Sequence, residues 1–116
     1  MDIETFRAYC LSLEGTTEEI KWESSLCFMV ELKIFVIYSL EHGGVAFKCD
    51  PDDFDALVAK DGIRQAPHFA RRQWVALENL EVLPGQELKE RILASRKLVI
   101  SKLTKKLQQK YAESPS

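Results

Sequence analysis

The chain has 116 residues, 46% hydrophobic and 29% charged, with 5 Gly, 4 Pro and a formal net charge of -2. That balance suits one core of ordinary domain size and excludes a disordered or low-complexity chain. No apolar run approaches the roughly 20 residues a membrane span needs.

The opening MDIETFRAYC carries acids where a signal peptide carries bases before an apolar stretch, so a cytoplasmic location is expected. Ile3, Phe6, Tyr9, Cys10 and Leu13 recur at three- and four-residue intervals, which predicts a helix over 2–13, capped by Asp2 and ended by Gly15. The period then becomes two. EEIKWE alternates Ile20 and Trp22 with charges, and LCFMVEL and IFVIYSL are short β-branched or aromatic runs, so all three read as antiparallel strands. EHGG at 41–44 supplies turn glycines, and VAFKC after it closes a hairpin over 34–49.

Asp50-Pro51 marks a helix start whose inner face is Phe54, Leu57 and Val58, and Gly62 ends it. IRQAPH and RRQWVAL read as two strands bent at Pro67 and His68. If 71–77 is extended throughout, Arg72 and Trp74 share one face: either Trp74 is outward beside Arg72, or it is inward and the chain bulges near Arg72. After Pro84-Gly85 a stripe of Leu88, Ile92, Val99, Leu103 and Leu107 predicts one helix to about Tyr111. The expected architecture is one α+β domain over 1–112, a two-layer fold whose antiparallel sheet is covered on one face by the N- and C-terminal helices. A disordered tail is expected at 113–116.

Cys10, Cys27 and Cys49 are odd in number, stand singly in apolar surroundings and read as reduced core residues. No nucleophile elbow, zinc-binding helix, P-loop or dinucleotide turn is present, so a non-catalytic protein without cofactor is expected. Asp50, Asp52, Asp53 and Asp55 crowd one helix start but lack the glycine and late glutamate of a calcium loop.

Charge is distributed unevenly. Residues 1–61 hold 13 acids and 5 bases, a balance of -8, and residues 62–116 hold 5 acids and 11 bases, a balance of +6. The two halves are either complementary surfaces of one fold, or the second presents a basic face to a polyanion. Arg64, His68, Arg71 and Arg72 surround Phe69 and Trp74, and Lys102, Lys105 and Lys106 lie in the final helix. Such residues neutralise phosphates, and interleaved rings stack on bases or hold the arginines.

Five segments in order, FRAYCLSLEG, KIFVI, KCDP, HFARRQW and SRKLVISKLTKK, resemble the MmcQ/YjbR family of small bacterial proteins over nearly the whole chain. The resemblance implies a frataxin-like fold and DNA binding through two projecting β wings, which would fall at 41–44 and 63–78. Lys48, His68, Arg71, Arg72 and Trp74 match the family's recurring positions, whereas Arg64, Lys102, Lys105 and Lys106 are nominated on charge alone. Two positions depart from the family: Glu14 and Thr104 stand where its members commonly carry Pro, the second implying a straighter, longer final helix. The turn EHGG is not basic, unlike a wing that grips phosphate. The expected partner is DNA, held by its phosphates. The alternative is a protein or metal partner on the acidic half, as in frataxin-like iron-binding proteins.

Overall fold

A computed structural model describes residues 1–112. The tail at 113–116 lies outside the described residues. The elements are α1 (Ile3–Ser12), β1 (Thr16–Lys21), β2 (Ser25–Val30), β3 (Lys33–Ser39), β4 (Val45–Lys48), α2 (Pro51–Val58), β5 (Ile63–Gln65), β6 (Trp74–Leu77), α3 (Gly85–Ile100) and α4 (Lys105–Ala112). Asp2 caps α1 by accepting from the Thr5 N–H at 2.7 Å, and Asp50 caps α2 by accepting from the Asp52 N–H at 2.8 Å.

The strands form one antiparallel sheet in the order β1-β2-β3-β4-β6-β5. Phe28, Val30, Phe47, Val75 and Leu77 point to one face, where Phe6 and Cys10 of α1, Leu57 of α2, and Leu88, Ile92 and Val99 of α3 complete the core. The fold is therefore the expected α+β two-layer arrangement. On the opposite face a smaller cluster joins Cys27, Ile37, Ala66 and Trp74.

β3 carries a bulge. Phe28 pairs with Val36 but Met29 with Ile34, so Phe35 is an extra residue and both Phe35 and Val36 enter the large core. Ser95 of α3, 0% exposed, donates to the Phe35 carbonyl at 2.6 Å and accepts from the Lys48 N–H at 2.9 Å. A helix hydroxyl thus satisfies the two backbone groups beside the bulge.

The single final helix expected to Tyr111 is instead two helices, α3 and α4, separated at 101–104. Thr104 starts a new helix by capping it: the Leu107 N–H approaches its hydroxyl at 3.4 Å, and the Gln108 N–H donates to its carbonyl at 2.9 Å. The Gln108 amide also donates to the Ser101 and Leu103 carbonyls at 3.2 and 2.7 Å, closing the break. Tyr111 then docks α4. Its hydroxyl donates to Glu31 at 2.8 Å, its ring lies under the Arg96 guanidinium at 5.3 Å, and it occupies the space where a Cβ on Gly15 (φ +73°) would stand 2.7 Å from its hydroxyl.

The strand read in EEIKWE ends at Lys21, and its two apolar side chains do not enter the core: Ile20 is 57% and Trp22 64% exposed. β1 is an edge strand, and α1 meets it through the ion pair of Arg7 and Glu18, short of Ile20.

Candidate nucleic-acid interface

The stretch between β5 and β6 is a loop organised by one side chain. The Gln65 amide nitrogen donates to the carbonyls of Ala66, Phe69 and Ala70 at 2.9, 3.3 and 3.4 Å, and its oxygen accepts from the Arg72 N–H at 2.9 Å. His68 and Arg72 take left-handed conformations, φ +69° and +64°. The strand expected over 71–77 is confined to Trp74–Leu77, because Arg72 turns the backbone before it. Arg72 and Trp74 consequently do not share a strand face. Trp74 is 9% exposed and stacks on Phe69, ring centroids 4.6 Å apart. Arg72 reaches α2 instead, in a two-pronged ion pair with Asp55 at 3.0 Å on each prong and with its guanidinium 5.1 Å from the centre of the Phe54 ring. That hydrogen bonding holds the Asp55 carboxyl below its ordinary range. As a phosphate ligand, Arg72 would first have to leave a carboxylate. His68 and Arg71 remain exposed on the loop.

Lys48 ends β4 opposite Trp74, and the bulged β3 begins beside it at Lys33 and Ile34. α3 and the turn after it add Val99 and Lys102. Together they enclose a cleft of about 320 Å³ with Ile34, Trp74 and Val99 as apolar wall and Lys33, Lys48 and Lys102 as its cations. An adjoining depression of about 290 Å³ brings Lys48, Lys97 and Arg91 together with the carboxylates of Asp50 and Asp53. No carboxylate among the described residues lies within ion-pair distance of Lys33, Lys48, Lys97 or Lys102, whereas Arg7, Lys60, Arg72, Arg91 and Lys110 are each paired with Glu18, Glu87, Asp55, Asp53 and Glu31. The charge asymmetry is in part a pairing of the two halves, since Arg72, Arg91 and Lys110 bind acids of the first half; the unpaired cations of the cleft come from both halves, Lys33 and Lys48 from the first and Lys102 from the second.

Of the nominated residues, Lys48, Trp74 and Lys102 meet in this cleft, and the loop with His68 and Arg71 leads into Trp74 from the same end of the sheet. Arg64 lies elsewhere, with His42 and Glu78 in a shallow depression of about 360 Å³ on the sheet face away from the helices. Lys105 and Lys106 sit exposed on α4, Lys105 facing Lys97 across the groove between α3 and α4. The two expected wings do not project together. Val45 pairs with Leu77 and Lys48 with Trp74, so the turn at 41–44 and the loop at 66–73 leave opposite ends of the β4–β6 pair. Lys33 and Gln65 were missed by the sequence reading. A signal for Lys33 existed, since a hairpin over 34–49 brings the start of its first strand beside the end of its second.

The cleft presents the ammonium groups of Lys33, Lys48 and Lys102. Cys49 borders the adjoining depression, but burial pushes its thiol up and away from the reactive thiolate. His42 and His68 stand at opposite ends of the sheet. Among the described residues no three His, Cys, Asp or Glu side chains converge as metal ligands. In the acidic run at 50–55, Asp50 caps a helix and Asp53 and Asp55 are ion-paired. No helix among the described residues is long and apolar enough to cross a membrane.

The YjbR family model matches residues 11–98. Among solved structures, the chain is similar to the Deinococcus radiodurans protein DR2400, of domain family DUF419, with a TM-score of 0.85 at 21% identity over 98% of this chain and 90% of that one. It is also similar to a Pseudomonas syringae protein, with a TM-score of 0.71 at 20% identity over 84% of this chain and 98% of that one. These likenesses show the fold. No curated protein matches the sequence significantly.

Proposed function

The chain belongs to the YjbR family, and from that membership together with its unpaired lysines we propose that it is a non-catalytic protein that binds duplex DNA weakly, through phosphates. One observation carries the reading: in a chain of net charge -2, Lys33, Lys48 and Lys102 converge on one cleft, while Arg72 and Arg91 nearby are held by Asp55 and Asp53. His68 and Arg71 extend the same end of the sheet as further phosphate ligands. The binding surface in this reading is one end of the molecule, not a pair of wings. Trp74 supports it from below as a buried wall, so base stacking plays no part and sequence preference is weak.

Fluorescence anisotropy with a short labelled duplex at several salt concentrations tests the proposal. If about four phosphates are engaged, the log–log slope of affinity against salt is about -3 to -4. Lys48→Ala with Lys102→Ala lowers affinity for all sequences alike and reduces the slope by about 2. Absence of binding at low salt removes the proposal, and binding unchanged in the double variant moves the site off the cleft.

A further inference from the structure

At the end of the sheet opposite the basic cleft, three large apolar side chains stand in solvent. Ile20 near the end of β1 is 57% exposed, Trp22 in the following turn 64%, and Leu40 after β3 49%. Hydrogen bonds from the Leu40 N–H to the Ser24 carbonyl (2.8 Å) and from the Ser24 N–H to the Trp22 carbonyl (2.9 Å) tie the two turns into one surface. Trp22 and Glu23 have φ +50° and +71°, a conformation that suits glycine or asparagine and is strained for a bulky ring. Trp22 belongs to neither buried cluster, so the strain is not offset by core packing. An exposed, strained tryptophan flanked by two more large apolar residues has the composition of an interface centre.

The strand beside it is open. β1 is the outer strand of the sheet and presents six residues, against three for β5 at the other edge. A second copy of the chain fits this edge poorly. The two antiparallel registers that pair five of the six residues on matching faces put Glu18 on Glu18, or Glu19 on Glu19, and like charges directly opposite repel. Over 14–23 the chain carries Glu14, Glu18, Glu19 and Glu23; Arg7 pairs with Glu18 and Lys21 with Glu19, so the stretch keeps an acidic excess through Glu14 and Glu23. The same charges that deter self-pairing attract a basic strand.

We infer that the β1 edge and the Ile20–Trp22–Leu40 surface bind an extended, Lys- or Arg-rich segment of a partner protein, which adds as a further strand and lays an apolar side chain on Trp22. This inference is independent of the DNA reading, which uses the other end of the sheet. The test uses two labelled heptapeptides, one alternating Val with Lys and one alternating Val with Glu, titrated with the whole chain. The Val–Lys peptide binds in a salt-sensitive manner and shifts tryptophan emission to the blue, since Trp74 is already buried and Trp22 is the ring that becomes covered. Trp22→Gly weakens binding by about tenfold or more while its Tm stays level or rises, because glycine relieves the turn. Glu19→Lys with Glu23→Lys weakens the Val–Lys peptide and not the Val–Glu one. Equal binding of the two peptides, binding of neither, a Trp22→Gly variant that retains affinity, or a wild-type dimer in sedimentation that Trp22→Gly dissolves would each overturn the inference, the last assigning the surface to a second copy.

Discussion

At Arg72 a φ of +64° swings the side chain away from Trp74 and onto Asp55, and its neighbour Arg71 stays exposed. The two arginines are equivalent in sequence and unequal in place, because a left-handed arginine stabilised by the Gln65 amide has no signature in pattern or propensity. Arg71→Ala is expected to weaken DNA binding and Arg72→Ala to leave it nearly unchanged, which anisotropy on the two single variants decides. A parallel case concerns stability alone. Leu32 stands 82% exposed in the two-residue turn between β2 and β3 with φ +65°, a position that glycine takes without steric cost. Leu32→Gly should raise unfolding free energy by about 0.5 to 1 kcal/mol in urea titration, the relieved strain exceeding the added chain entropy.

Among elements, those set by local chemistry were legible: Asp2 and Asp50-Pro51 start α1 and α2, and EHGG turns β3 into β4, as read. Those set by distant partners were not. The break between α3 and α4 depends on Gln108 folding back onto Ser101 and Leu103, and the apolar stripe runs straight across it. The role of Ser95 depends on a bulge in a strand 60 residues earlier. Ser95→Ala leaves the buried Phe35 carbonyl and the half-buried Lys48 N–H without this partner, at a cost of about 1 to 3 kcal/mol in denaturant unfolding. Gly15→Ala presses a methyl group onto Tyr111 in a backbone conformation unfavourable to alanine. Hydrogen exchange should show protection lost in α4 first, with the sheet retained.

For the molecule as a whole, charge pairing predicts the response to acid. Hydrogen bonds from Arg7, from Tyr111 and Lys110, and from Arg72 hold the carboxyls of Glu18, Glu31 and Asp55 below their ordinary values. Groups lowered by folding stabilise the native state above their unfolded pKa and lose that contribution as pH falls through the folded one. Stability should therefore hold from neutrality to about pH 5 and decline below about pH 4, with less decline in high salt. Urea midpoints across that range measure it, and a midpoint that rises on acidification contradicts it. The Ser95 hydroxyl has a second meaning at this scale. By joining β3, β4 and α3 at one point it resists sliding of the helix along the sheet, so the backbone carrying the lysine at the end of the strand keeps its place relative to the helix. In the DNA reading, a fixed backbone of this kind favours a partner whose own charges are rigidly held, since a flexible polyanion of equal charge loses more freedom on binding.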